Sequence, residues 1–194
     1  MAQDSSLPDF WDVRYQGGVT PWEGGVVPLE EMAFFARLPT ASRILVPGCG
    51  SAHDVHRLLD LGLSVEAIDF SHEAIAQARI QLGVRAGCLA QADFFALEAH
   101  QQYHAVFERA FLCALPLRCR AGYAQKMADL IAPGGYLAGF FFLADKPKGP
   151  PFGISLAELT ALLGNDFVLE NSVLMDEALP VFAGSEHWMV WRRL

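Results

Sequence analysis

Ile44-Leu45-Val46-Pro47-Gly48-Cys49-Gly50-Ser51-Ala52-His53-Asp54-Val55 is the stretch that decides how this chain folds. Its aliphatic start reads as a buried central strand, Pro47 and the two glycines break that strand, and Val55 begins a helical pattern. Val65-Glu66-Ala67-Ile68-Asp69 then reads as a second buried strand ending in a carboxylate. In open α/β sheets this order of strand, glycine turn, helix and acid-ended strand binds a nucleoside-containing ligand. Gly48 and Gly50 let backbone approach the ligand, and Asp69 can accept hydrogen bonds from ribose hydroxyls.

The turn narrows the choice of ligand. A dinucleotide site asks for G-x-G-x-x-G, but His53 stands at the third glycine position, where an imidazole would crowd helix–strand packing. No P-loop lysine follows the glycines. S-adenosylmethionine carries no phosphate and suits a Gly-x-Gly turn with a ribose acid equally well.

Outward from this core, strand and helix patterns alternate. Strands are predicted at 43–47, 65–69, 84–90, 104–108, 136–143, 167–174 and 187–192. Val55, Leu58 and Leu59 share one helical face closed by Gly62, and Ser71 can cap a helix carrying Ile75, Ala78 and Leu82. Tyr123, Met127, Leu130 and Ile131 mark a further helix, ended by Pro133-Gly134-Gly135. Ser155 with Glu158 makes a capping box ahead of Leu159, Leu162 and Leu163, and Gly164 closes that helix. The expected fold is α/β: a Rossmann-like three-layer sandwich around a mostly parallel seven-stranded sheet, with the last two strands as an antiparallel edge pair. One domain over 1–194 is expected, with a Rossmann-like core at 40–194 and a lid segment at 1–30. Gly17-Gly18, Pro21, Gly24-Gly25 and Pro28 are read as interrupting any regular element in that lid.

Composition excludes several classes. The 194 residues are 53% hydrophobic, enough for a sheet covered on both faces, yet no apolar run is long enough for a membrane span. The net charge of −8 argues against a nucleic-acid partner. The four cysteines form no C-x-x-C pair, so neither zinc nor a disulfide framework is indicated, and residues 1–10 lack a signal-peptide pattern. A cytoplasmic protein with reduced thiols is expected. No metal site is expected, since His53 and His56 have no carboxylate at ligand spacing.

The segments resemble the thiopurine S-methyltransferase family, a branch of the S-adenosylmethionine-dependent methyltransferases that also holds plant thiol and halide methyltransferases. The matching motifs run in order along nearly the whole chain. They are FWDVRYQGGVTPWEGG (Phe10 to Gly25), LVPGCGSAHDV (Leu45 to Val55), AIDFSHEAI (Ala67 to Ile75), ADFFAL (Ala92 to Leu97), FERAFLCALP (Phe107 to Pro116), APGGYL (Ala132 to Leu137) and GPPFGIS (Gly149 to Ser155). Ala52 stands where the family usually has glycine, Glu108 where it has aspartate, and Leu117 where a second proline is common.

The resemblance implies S-adenosylmethionine as cofactor and a set of site residues. Asp93 would take the adenine amino group and Phe94 would face the ring. Trp11 and Tyr15, one helical turn apart, would fold over the cofactor with Trp22 and offer aromatic faces to a sulfonium cation. Read from the residues alone, these aromatics equally make a hydrophobic cap, and Trp188 and Trp191 read as core. Arg109 ends an apolar strand at the edge where ligands bind. It reads either as half of an ion pair with Glu108 or as the cofactor-binding and catalytic group that draws an anionic nucleophile to the transferred methyl. Phe111, Leu112, Pro151 and Phe152 are expected to line the acceptor pocket.

The expected activity is methyl transfer from S-adenosylmethionine to a small thiol-like molecule, of the thiopurine or thiol S-methyltransferase type. Methyl transfer to a halide or to a selenium or tellurium species on the same scaffold is the alternative. A nicotinamide-dependent oxidoreductase and a non-catalytic cofactor-binding protein are remoter ones. The partner is a small molecule, with no nucleic acid or membrane, and the oligomeric state is left open.

Overall fold

A computed structural model describes residues 4–24, 28–98 and 102–194. Gly25 of the first motif, and residues 1–3 and 26–27 of the lid segment, lie outside the described residues. The chain runs α1 (Pro8–Gln16), α2 (Leu29–Phe35), β1 (Arg43–Pro47), α3 (Val55–Asp60), β2 (Ser64–Asp69), α4 (His72–Leu82), β3 (Leu89–Gln91), β4 (Tyr103–Arg109), α5 (Arg120–Leu130), β5 (Ile131–Phe142), α6 (Leu156–Leu163), β6 (Phe167–Leu174) and β7 (Glu186–Arg193). The sheet has seven strands in the order β3-β2-β1-β4-β5-β7-β6. β1 to β5 are parallel, and β7 inserts antiparallel between β5 and β6.

Central strands are covered on both sides. Ile44 and Val46 of β1 pack into one core layer with residues of α2, α3 and α4, while Leu45 packs into the other with residues of α5 and α6. β7 alternates likewise: Trp188 and Val190 join the first layer, Met189 and Trp191 the second. The two tryptophans are 1% exposed, which makes them core. The expected caps form as well. Ser71 accepts from the Ala74 N–H, and the Ser155–Glu158 capping box is complete.

Three segments differ from expectation. The third strand is only Leu89–Gln91, because Gly83 takes a φ of +55° and a 3-10 turn occupies Gly83–Cys88 with Val84 fully exposed. Ile131 does not end a helix but opens β5, pairing with Tyr103, so Pro133-Gly134-Gly135 falls within the strand beside an irregularity in register. The lid segment is not irregular: α1 forms with Pro8 in its first turn, where a missing N–H loses nothing. Asp12 anchors it by accepting from Ser71 Oγ (2.5 Å) and the Glu73 N–H (3.2 Å) at the start of α4. Gln77 Nε2 donates to the Tyr15 carbonyl at 2.9 Å, so α1 is tied to α4 along its length.

Candidate active site

Strand order reverses between β1 and β4, with β2 and β3 on one side and β5 on the other. Ligands in open α/β sheets bind at such a switch point, beyond the carboxyl ends of the strands. A cavity of about 470 Å³ lies there. Trp11, Tyr15, Trp22, Gly48, Asp69, Asp93, Phe94, Arg109, Phe111 and Pro151 all line it. Ten of the residues singled out from sequence are therefore brought together.

The floor is the turn after β1. Gly48 and Gly50 have φ of +61° and +53°, the left-handed region that glycine enters without strain. A Cβ on Gly48 would lie 2.5 Å from the Phe111 ring, and one on Gly50 would run into the Glu23 carboxylate and the Tyr15 hydroxyl. Ala52 also sits at positive φ, +66°, which is why a glycine is common at that place in the family the motifs resemble. Gly50 is buried in the turn and borders a smaller side cavity of about 40 Å³ that opens beside the first. His53 is exposed and bonds to Gln81, so the third-glycine position carries a surface contact.

Asp69 ends β2 and is 8% exposed. Its Oδ2 accepts from the Gly50 N–H (3.0 Å) and its Oδ1 from the Ser71 N–H (2.9 Å), stapling the two turns that border the cavity. Burial pushes its pKa up to about 6, against those two hydrogen bonds and with help from the nearby Glu23 and Asp12 carboxylates. Asp93 caps the 3-10 turn Phe94–Ala96 through the Phe95 N–H at 2.9 Å while also facing the cavity. The turn and the site are the same residues. Phe94 is 4% exposed and meets Phe111 edge-on at 5.1 Å.

Trp11, Tyr15 and Trp22 form the roof. Trp22 meets Trp11 at 5.3 Å and Tyr15 at 6.1 Å, both edge-to-face. Each indole N–H has a partner: Trp11 Nε1 donates to the Ser5 carbonyl and Trp22 Nε1 to the Tyr15 hydroxyl. Tyr15 in turn donates to Glu23 at 3.0 Å, and burial pushes its phenol far above the ordinary tyrosine range.

Arg109 corrects the expected pairing with Glu108. Successive strand residues face opposite sides, so the two cannot pair across the sheet. Glu108 is buried in the α5 layer, accepts from the Leu112 N–H at 2.9 Å and has Tyr123 beside it; burial pushes its carboxyl up to about 8. Arg109 lies over the Phe140 ring at 4.5 Å and pairs with Glu186, each contact 3.4 Å, with side chains 6% and 2% exposed. Glu186 was not anticipated, because it lies 77 residues away in sequence and is brought near only by the pairing of β7 with β5.

Two acceptor-pocket expectations fail. Leu112 is 3% exposed and packs into the α5 layer, since its N–H is drawn down to Glu108. Phe152 is outside the cavity wall, and its N–H donates to the Cys113 carbonyl. Cys113, Val181 and Phe182 take those places. The apolar run Leu179 to Phe182 in the connection between β6 and β7 was the available signal.

Among the described residues no cluster of three metal-ligating side chains occurs, and no helix is long and apolar enough to cross a membrane.

The family model described as thiopurine S-methyltransferase matches residues 6–194. The chain is 32% identical to the thiopurine S-methyltransferase of Xanthomonas campestris pv. campestris over 87% of this chain and 88% of that one. It is 29% identical to a probable thiol methyltransferase 2 of Arabidopsis thaliana over 84% of this chain and 74% of the relative. Among solved structures, the Burkholderia thailandensis 1,6-didemethyltoxoflavin-N1-methyltransferase, with S-adenosylhomocysteine bound, aligns with a TM-score of 0.77 at 18% identity. That alignment covers 96% of this chain and 87% of the other. The magnesium protoporphyrin IX methyltransferase of Synechocystis PCC 6803, with S-adenosylmethionine bound, also gives 0.77, at 14% identity, covering 100% and 98%. At such identities the likeness establishes the fold.

Proposed function

We propose that this chain, which belongs to the thiopurine S-methyltransferase family, methylates a small thiol-like acceptor held between Arg109 and the apolar wall of its cavity. It is an S-adenosylmethionine-dependent methyltransferase, and that membership displaces the nicotinamide and non-catalytic alternatives.

The residues present fit the cofactor. The cavity volume falls in the range of small-molecule sites, about 300–1,000 Å³. Gly48 and Gly50 let Phe111, Tyr15 and Glu23 close directly onto the turn, two carboxylates stand at the ends of β2 and β3, and aromatic rings roof the site. In this reading Asp69 receives the ribose hydroxyls, Asp93 and Phe94 hold the adenine, and Trp11, Tyr15 and Trp22 close over the sulfonium. When bound, the cofactor supplies an electrophilic methyl group on sulfur.

The chain's own residues then need to exclude water and aim the nucleophile. One observation carries the acceptor reading: the Arg109 guanidinium, held by Glu186, lines the same cavity as Phe111, Cys113, Pro151, Val181 and Phe182. An apolar pocket with a fixed N–H donor suits a thiolate, which is nucleophilic without a strong general base. Segment 8–24 serves as the lid of a single domain. Its location in the reducing cytoplasm is supported by four unpaired cysteines.

The test is transfer of labelled methyl groups by purified protein to thiols (aliphatic, aromatic and thiopurine), bisulfide, halides, a selenol and an amine. Thiols should be labelled, with rates rising as pH passes each thiol's pKa. Label confined to halide or amine would refute the reading.

Asp69 gives a pH prediction. Its carboxyl titrates near 6, and only the ionised form accepts from two hydroxyls. The folded-state pKa is raised above the usual 3.8, so affinity should be full above pH 6 and fall below it, by up to about tenfold per unit. Titration calorimetry with S-adenosylhomocysteine from pH 5 to 7.5 checks this. A flat profile would remove Asp69 from the ribose.

A further inference from the structure

We propose that Glu23 is a cofactor-binding residue that receives the ammonium group at the methionine end of S-adenosylmethionine. The proposal rests on the placement of ribose at Asp69 and adenine at Asp93. Those two anchors end β2 and β3, and the next strand in the sheet order is β1, followed by β4. A ligand laid along these strand ends with its adenine over β3 and its ribose over β2 brings its amino-acid end over the turn after β1.

Glu23 is an acid at that turn beside Asp69, and Asp54, which borders the same side cavity, is paired with Arg57. Glu23 reaches there from the lid segment, and its Oε1 accepts from the Ser51 N–H at 2.6 Å and from the Tyr15 hydroxyl at 3.0 Å. Both of these hydrogen bonds fall on one oxygen, so Oε2 retains acceptor capacity. Glu23 also lines the side cavity of about 40 Å³, together with Gly48, Gly50, His53, Asp54 and Arg109. Beside it, Ser51 Oγ is buried without a hydrogen-bond partner among the described residues. A buried orphan hydroxyl next to a carboxylate marks a place where a polar ligand group completes the bonding.

Charge supports the same occupant. Arg109, the cation lining this side cavity, is already paired with Glu186. Asp69 and Glu23 therefore leave the turn acidic, and an ammonium is the group that an acidic, partly buried turn selects. The lid thereby does more than cover the cofactor. It contributes a specific contact, and the Trp22–Tyr15–Glu23 chain of hydrogen bonds ties the roof aromatics to that contact.

Glu23→Gln tests the assignment. The amide oxygen can still accept from Ser51 and Tyr15, and only the charge is lost. The dissociation constant for S-adenosylhomocysteine should rise at least about tenfold, as expected for loss of a charge-assisted hydrogen bond. That for methylthioadenosine, which lacks the amino-acid end, should stay within about twofold. Equal weakening of both ligands would mean that Glu23 only pins the lid to the turn, and no weakening of either would mean that it touches no ligand. Both results overturn the proposal. Melting of the ligand-free variant shows whether it folds. If it does not, wild-type protein is titrated with S-adenosylhomocysteine lacking its amino group, which should bind at least about tenfold more weakly than the parent; equal binding overturns the proposal. Wild-type protein that bound methylthioadenosine and S-adenosylhomocysteine equally would also overturn it. Failure to bind any adenosine ligand would strike the cofactor reading itself.

Discussion

Arg109→Ala is expected to lower stability by about 3–5 kcal/mol, read as a drop in the urea midpoint, because it strands a buried carboxylate. Glu186 is 2% exposed and meets the Arg109 guanidinium through both oxygens. Arg109 stands beside Phe140 of β5, and Glu186 stands opposite Phe142 of the same strand, so the pair reaches across β5 from β4 to β7. Removing one partner leaves the other charged in a place that water does not reach. Replacing both partners behaves differently: Arg109→Met with Glu186→Met should recover most of the loss, since a buried pair contributes little over well-packed apolar groups of similar volume. The double variant then separates folding from chemistry. If Arg109 presents its N–H edge to the acceptor, the refolded double variant should bind S-adenosylhomocysteine normally and turn over slowly, as expected when only transition-state contacts are lost. A single variant that lost less than about 1 kcal/mol would show that the pair does not hold the strands together. Full turnover in the double variant would make Arg109 purely structural.

Asp69→Ala is expected to weaken S-adenosylhomocysteine more than about 100-fold in calorimetric titration. Two charge-assisted hydrogen bonds to ribose hydroxyls are worth roughly 1.5–3 kcal/mol each, and about 2.7 kcal/mol already corresponds to 100-fold. The same carboxylate satisfies the buried Gly50 and Ser71 N–H groups, so the turn loses its staple together with the ligand contact. Asp69→Asn separates these roles. Its amide oxygen can keep one backbone N–H, so the fold should be largely retained while the affinity still falls by at least about tenfold. Affinity within a few-fold of wild type in Asp69→Ala would mean that this acid holds only the turn.

The family and the strand ends that border the cavity were legible because the signals are local. Ile44 to Val46 announce a two-sided strand within three residues, Gly48 and Gly50 announce positive φ by their own lack of a side chain, and Asp69 and Ser71 act within their own turn. Local hydrogen bonds of that kind depend on spacing alone, as the Ser155–Glu158 capping box also does. What the tertiary structure decided joins residues far apart in sequence. Glu23 meets Ser51 across 28 positions, Asp12 meets Ser71 across 59, and Arg109 meets Glu186 across 77. No periodicity encodes such partners, so Arg109 was open to pairing with the neighbouring Glu108, a choice that only the alternation of β4 between two core layers removes. The same reason covers α1. Its glycine and proline surroundings argue for an irregular segment, and its helix stands because Asp12, Tyr15 and Gln16 find partners on α4 that the sequence around them does not contain.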